Sequence, residues 1–166
     1  MTFKHWIATT HLQDWICSAL VTSYKVSIET GDLPDAETRA NVYIKLFGEY
    51  GNSDQLNLKQ SETKRKKFQQ GQVDLFTFKN QPWLGKLSKL RVWHDNDGAN
   101  PAWYLGSIYI LDELSGRLFC FVFDTWLSKE AGAVLKELPV NAMALSQEAC
   151  KLFSYVFCDK SSCIHR

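Results

Sequence analysis

An all-β sandwich or barrel is the fold this sequence predicts, on three observations. Short segments alternate apolar and polar residues with period two, as half-buried strands do: Leu90, Val92 and His94 interleave with Lys89, Arg91 and Trp93. Polar turn chemistry follows, with Asp95-Asn96-Asp97-Gly98 offering side chains that cap local backbone groups and a glycine that tolerates positive φ. The same strand-then-turn unit recurs along most of the chain, which indicates a sandwich or barrel of many short strands.

Taken in order, residues 1–22 hold Phe3, Trp6, Ile7, Leu12, Trp15, Ile16 and Leu20 at a loose three-to-four spacing, predicting a short amphipathic helix as an N-terminal extension. The β domain follows over 24–139. Tyr24, Val26 and Ile28 face one way and Lys25, Ser27 and Glu29 the other, predicting a strand over 24–30. Val42, Ile44 and Leu46 repeat the pattern within 40–47. Further strands are expected near 54–59, 73–78, 87–94, 103–111 and 117–124, with a short one near 134–138. Over 140–166 the period changes: Leu145, Ala149, Leu152, Phe153 and Val156 recur at helical spacing, predicting a second amphipathic segment that ends in a polar tail from Asp159.

The 166 residues suit one domain with a real core, and 45% hydrophobic against 22% charged residues excludes global disorder. A net charge of +1 argues against a general polyanion binder, so any electrostatic function must come from local clustering. Five cysteines without a CxxC pair, and no Asn-x-Ser/Thr sequon, lean towards a reducing, cytoplasmic setting. No run approaches the ~20 apolar residues that span a bilayer. The apolar stretch 15–21 is preceded by Gln13 and Asp14 with only Lys4 upstream, so a signal peptide is not expected.

Leu84-Gly85-Lys86-Leu87-Ser88-Lys89-Leu90-Arg91-Val92-Trp93-His94-Asp95-Asn96-Asp97-Gly98, followed by a strand opening at Trp103, resembles the LGxLxxLRxxHDNxG segment of the PLAT (LH2, lipoxygenase homology) domain family. Tyr24–Asp32 with Ala40–Ile44 upstream, and Phe119–Leu127 downstream, match the family in order and spacing. The finer resemblance is to the repeats of lipoxygenase homology domain-containing protein 1, carried by Ser61-Glu62-Thr63, Phe68–Asp74 and Lys136–Pro139, and next to polycystin-type PLAT domains. The resemblance implies a sandwich of two four-stranded antiparallel sheets. It also implies docking to phospholipid surfaces or membrane-protein tails, and in the repeat subfamily attachment of plasma-membrane proteins to the cytoskeleton of ciliated or stereocilia-bearing cells.

Catalysis is not expected, since the sequence has no G-x-S-x-G, H-E-x-x-H, P-loop or dinucleotide fingerprint. His94-Asp95 reads as a buried or capping histidine beside a turn. No cofactor is expected. Calcium, held by loops at one end of some PLAT domains, needs six to eight oxygens, usually with several carboxylates. Where calcium-binding relatives read TGDxxGAGTDAN, this chain places Asp35 and Glu37 at two glycine positions and Arg39 at an acidic one. Asp32, Asp35, Glu37, Asp95 and Asp97 leave only a weak calcium site as an expectation.

The chain instead offers Lys64, Arg65, Lys66 and Lys67 in a loop that alternating strand direction places at the same end as 31–39 and 95–102. This run is the candidate contact with an anionic membrane surface, the alternative being a solvated loop. Nucleic acid is excluded, because no aromatic stacking platform interleaves it. Trp93, outward beside Lys89 and Arg91, and Trp83, in a loop at the opposite end, are candidate lipid or partner contacts. Cys158, Cys163 and His165 lack a fourth ligand for zinc. The expected function is a non-catalytic, membrane-proximal adaptor, peripheral at the plasma membrane or cilium, that also binds membrane or cytoskeletal proteins. The rivals are a purely protein-binding module and a regulatory domain for a lipid-acting enzyme on another chain.

Overall fold

The computed structural model describes residues 19–140. Both expected amphipathic segments fall almost wholly outside the described residues. Within them the period-two pattern becomes β1 (Val21–Thr30), β2 (Val42–Gly48), β3 (Gly51–Asn52), β4 (Leu56–Asn57), β5 (Val73–Pro82), β6 (Leu87–His94), β7 (Trp103–Asp112), β8 (Arg117–Leu127) and β9 (Leu135–Pro139). Tyr24, Val26 and Ile28 are buried in β1 and Val42, Ile44 and Leu46 in β2, as the alternation requires.

The strands form two antiparallel sheets. One is ordered β5-β1-β7-β8; the other runs β3-β2-β6-β9, with β4 also on β2. The segments β3 and β4 pair with successive stretches of the same edge of β2, so they act as one interrupted strand and the second sheet is four strands wide. Of the strand expected near 54–59 only Leu56–Asn57 is formed, and the interruption before it, at 53–55, has a local cause. The buried Ser53 donates its N–H to Leu46 O at 2.9 Å, and its hydroxyl accepts from Leu46 N at 2.9 Å. A side-chain oxygen thus takes the place that a ladder carbonyl would fill. Facing side chains of the two sheets, among them Ile28, Ile44, Leu90, Val92, Ile108 and Phe121, make one core.

β1 begins three residues before the expected position and β5 runs four beyond it, because both ends are tied down. Trp83 N donates to Leu20 O at 2.9 Å. The buried Asp112 carboxylate accepts from Thr22 Oγ1 at 2.6 Å, Trp83 Nε1 at 2.8 Å and Leu114 N at 3.1 Å, and from Ser115 Oγ. Burial opposes the charge of Asp112, but the bonds from Ser115, Thr22, Trp83 and the Leu114 amide hold its carboxyl below the usual carboxylate range.

A depressed folded-state pKa contributes stability above the unfolded value of about 3.9, and that stability is lost as pH falls through the folded value. Asp112→Asn puts an NH₂ where donors converge, and is expected to lose about 1–3 kcal/mol at pH 7 in urea titrations. The variant is also expected to lose less further stability than the parent between pH 5 and the acid limit; equal acid slopes would show that other carboxylates carry the dependence.

Candidate functional site

Strand register decides which loops meet. Glu29 is opposite Val73, Thr30 opposite Leu105, Val42 opposite His94 and Trp103 opposite Leu127. The segments 31–41, 58–72, 95–102 and 128–134 therefore share one end of the sandwich. Phe68 organises that end. Its ring is fully buried, 5.0 Å from Trp103 and 5.8 Å from Phe76, on a backbone with φ +55. The left-handed geometry turns the Phe68 amide onto Asp74 Oδ2 at 2.7 Å, while its carbonyl accepts from Thr38 N at 3.2 Å. Thr38 Oγ1 donates to Pro101 O at 3.0 Å, joining the third loop. Gly71 N donates to Gly31 O at 3.1 Å, and Gln70 Nε2 to Asp32 Oδ1 at 2.9 Å.

The basic run divides on this frame. Ser61 Oγ accepts from the amides of Thr63 and Lys64 in a local turn, and Lys64, Arg65 and Lys66 stand exposed beyond it. Among the described residues none of the three is held in an ion pair. Lys67 turns back instead: its ammonium donates to Leu58 O at 2.6 Å and lies 5.0 Å from the centre of the Phe68 ring. Burial pulls its pKa down, opposed by the carboxylates of Asp74 and Asp95. Lys67 is thus positioned as an internal cap, apart from the three free cations.

The two tryptophans do not join the run. Trp83 is at the opposite end, its indole N–H on Asp112 and its ring 5.4 Å from Tyr50. Trp93 is on the outer face of the second sheet, stacked on Tyr43 at 5.7 Å and 21°. The apolar side chain that does project at the loop end is Leu33, 41% exposed. Its signal is a lone leucine in the turn sequence Gly31-Asp32-Leu33-Pro34, which alternation cannot flag because it lies in no strand. His94 is buried; Nδ1 accepts from Asn96 N at 3.1 Å, so Nε2 bears the proton and donates to Leu127 O at 2.9 Å. Both nitrogens are committed to backbone, as a capping histidine requires.

Residues 24–137 match the PLAT/LH2 domain family. The chain belongs to that family. Lipoxygenase homology domain-containing protein 1 of Mus musculus is 47% identical over 111 residues, a match spanning 67% of this chain and 5% of the relative. Polycystin-1-like protein 3 of Mus musculus is 34% identical over 109 residues, spanning 66% and 5%. Among solved structures, coral 8R-lipoxygenase, described by calcium activation via a C2-like domain, superposes with a TM-score of 0.59 at 24% identity, covering 71% of this chain and 16% of that one. The alpha-toxin of Clostridium perfringens superposes with 0.57 at 15% identity, covering 75% and 32%. With the two solved structures the chain shares the fold, and it spans about 5% of the length of the curated relatives.

In this PLAT module the loop carboxylates are engaged in local hydrogen bonds. Asp95 takes Asn41 Nδ2 at 2.6 Å, Asn41 N at 3.1 Å and Asp97 N at 3.0 Å; the Asn41 side chain above all holds its carboxyl below the usual range. Asp97 caps Gly98 N, Asp32 accepts from Gln70, and Arg39 lies beside the Asp97-Gly98 turn, its Cβ 4.0 Å from where a Gly98 Cβ would be. Among the described residues no three His, Cys, Asp or Glu side chains group so as to hold a metal ion.

The division of the basic run is directly measurable. Lys67→Ala removes a charge-assisted bond to a carbonyl and a cation–ring contact, and is expected to cost about 1–3 kcal/mol of stability. Lys66→Ala should stay within about 0.5 kcal/mol of the parent. Urea titration of the two variants side by side checks this, and equal costs would refute the division.

Proposed function

We propose that this PLAT module is a non-catalytic, membrane-proximal adaptor whose loop end rests on anionic phospholipid while other surfaces engage membrane or cytoskeletal proteins. Three consecutive exposed cations, Lys64, Arg65 and Lys66, at the end where the loops converge carry this reading. Leu33 projects at the same end and supplies the apolar contact that the tryptophans, placed elsewhere, do not. The setting this implies is the cytoplasmic side of the plasma membrane or a cilium or stereocilium.

Magnitude limits the mechanism. Each Lys or Arg near an anionic leaflet contributes ~1 kcal/mol, so three give about 3 kcal/mol. Partial burial of Leu33 adds roughly 1 kcal/mol. A sum of about 4 kcal/mol corresponds to binding near 1 mM, useful only when modules are linked or a second partner holds the protein at the surface.

Sedimentation with vesicles, with calcium or chelator, tests the reading. Binding is expected to vesicles rich in phosphatidylserine but not to phosphatidylcholine alone, to weaken with salt, and to ignore chelator. Lys64→Glu/Arg65→Glu/Lys66→Glu should abolish it without loss of thermal stability, and Leu33→Asp should weaken it several-fold. Absence of binding to every vesicle, with the folded chain recovered in the supernatant, would leave a purely protein-binding module as the function.

A further inference from the structure

The outer faces of the two sheets carry opposite charge. On the second sheet, outward residues pair across β2 and β6 as Tyr43 with Trp93, Lys45 with Arg91 and Phe47 with Lys89. The three cations gather on one ring: Lys89 Nζ is 4.4 Å, Arg91 Cζ 5.3 Å and Lys45 Nζ 5.8 Å from the centre of Phe47. Among the described residues a single carboxylate is ion-paired with them, Glu137 on β9, at 2.5 Å from Lys89 and 2.7 Å from Arg91. Three positive charges against one negative leave this patch at a net +2. The stacked Tyr43–Trp93 pair and Leu135, 43% exposed, border it.

The first sheet presents the converse. An open groove of about 410 Å³ runs over β1, β7 and β8, and its charged lining is Glu29, Asp32 and Asp124, with no lysine or arginine. Its floor is low because Gly106 sits at the bulge between Leu105 and Ser107, where an added Cβ would come within 3.2 Å of Glu29 O. Tyr104 and Tyr109 line it, and Val122, 42% exposed, forms part of the rim. The cations of this same face are Lys25, which is paired with Glu113 at 2.9 Å, and Lys79 at the far end of β5.

We propose that the two faces fit each other: the basic, ring-bearing face of one copy of this chain docks in the acidic groove of a second copy. Charge complementarity selects this occupant, since each face is the other's counter-surface, with rings and an exposed aliphatic on both. Because the faces lie on opposite sides of one sandwich, the contact is head to tail, leaving one basic and one acidic face free after each addition. The basic face spans three strands of about seven residues, roughly 14 by 23 Å. That is well under the ~800 Å² per partner of a stable interface. The association is therefore weaker than about 1 μM and falls as salt rises. None of the cations assigned to the membrane takes part, and Leu33, at the loop end of the groove, is the one residue common to both contacts.

Sedimentation velocity on the full chain, from about 10 μM to about 1 mM, is the test. The mean mass should rise with concentration at low ionic strength and fall back with salt. Lys45→Glu/Lys89→Glu disables the basic face. Glu29→Lys/Asp124→Asn disables the groove, with asparagine chosen because Asp124 has φ +45. Each variant alone should self-associate at least about tenfold more weakly than the parent. An equimolar mixture should form a dimer and stop there, since each partner brings one working face. Circular dichroism confirms folding, and Lys45→Gln/Lys89→Gln replaces the first pair if it fails. A parent that stays monomeric throughout overturns the proposal, as does a folded variant that associates like the parent or a mixture that stays monomeric.

Discussion

The loop end of this sandwich depends on one enclosed ring, that of Phe68. Two sheets packed face to face leave a gap at each end of the core that a side chain must fill, or the Trp103 and Phe76 rings would meet water. Phe68 fills it from a loop, and the reach demands a left-handed backbone that costs a non-glycine residue about 1–2 kcal/mol. Burying the ring returns roughly 1.5–3 kcal/mol, and the Asp74 carboxylate holds the amide that the turn would leave unpaired. Once Phe68 points inward, the neighbouring loops take their places: Thr38 hangs on its carbonyl, Lys67 folds over its ring, and residues 64–66 are left facing out. The exposed charge of residues 64–66 is thus a by-product of core closure.

At the opposite end a buried carboxylate closes the sandwich. Asp112 gathers donors from β1, from the segment after β5 and from its own turn. Trp83 belongs to this closure, its indole N–H donating to Asp112 from the segment after β5. Closure at both ends leaves the sheet faces free to differ, and they do. A net charge of +1 over the chain conceals a basic patch on one face and an acidic groove on the other. Near neutrality here reflects separated charges, not an absence of them.

The strand framework was legible in the sequence because alternation reports burial locally. Leu90, Val92 and His94 faced inward, and Trp93 faced outward with Lys89 and Arg91, as their spacing requires. The convergence of three loops was also legible, since it follows from antiparallel order alone. Other features turned on contacts distant in sequence. Nothing local distinguishes Lys67 from Lys66 until Leu58 and Phe68 are brought beside it. The break at Ser53 depends on Leu46, and the length of β5 on Asp112. The acidic groove needed three strands aligned with a glycine at a bulge. Residues tens of positions apart cannot signal such an arrangement by period.

Each contact surface on this module is weak alone: three cations and a leucine fall near 1 mM, and a flat face of a few strands does little better. Weakness of this kind suits a unit that works in company. When a second contact becomes intramolecular, it acts at an effective concentration in the millimolar range, and avidity rises 10²–10⁴-fold without any new interaction. The matched relatives carry such a segment as about 5% of their length, so each has room for other binding surfaces on the same chain. A module with charge at its loop end and opposite charges on its two faces can use both routes. In the proposed reading the loop end meets a surface while the faces meet neighbours, and the two contacts overlap at Leu33, which also lines the acidic groove.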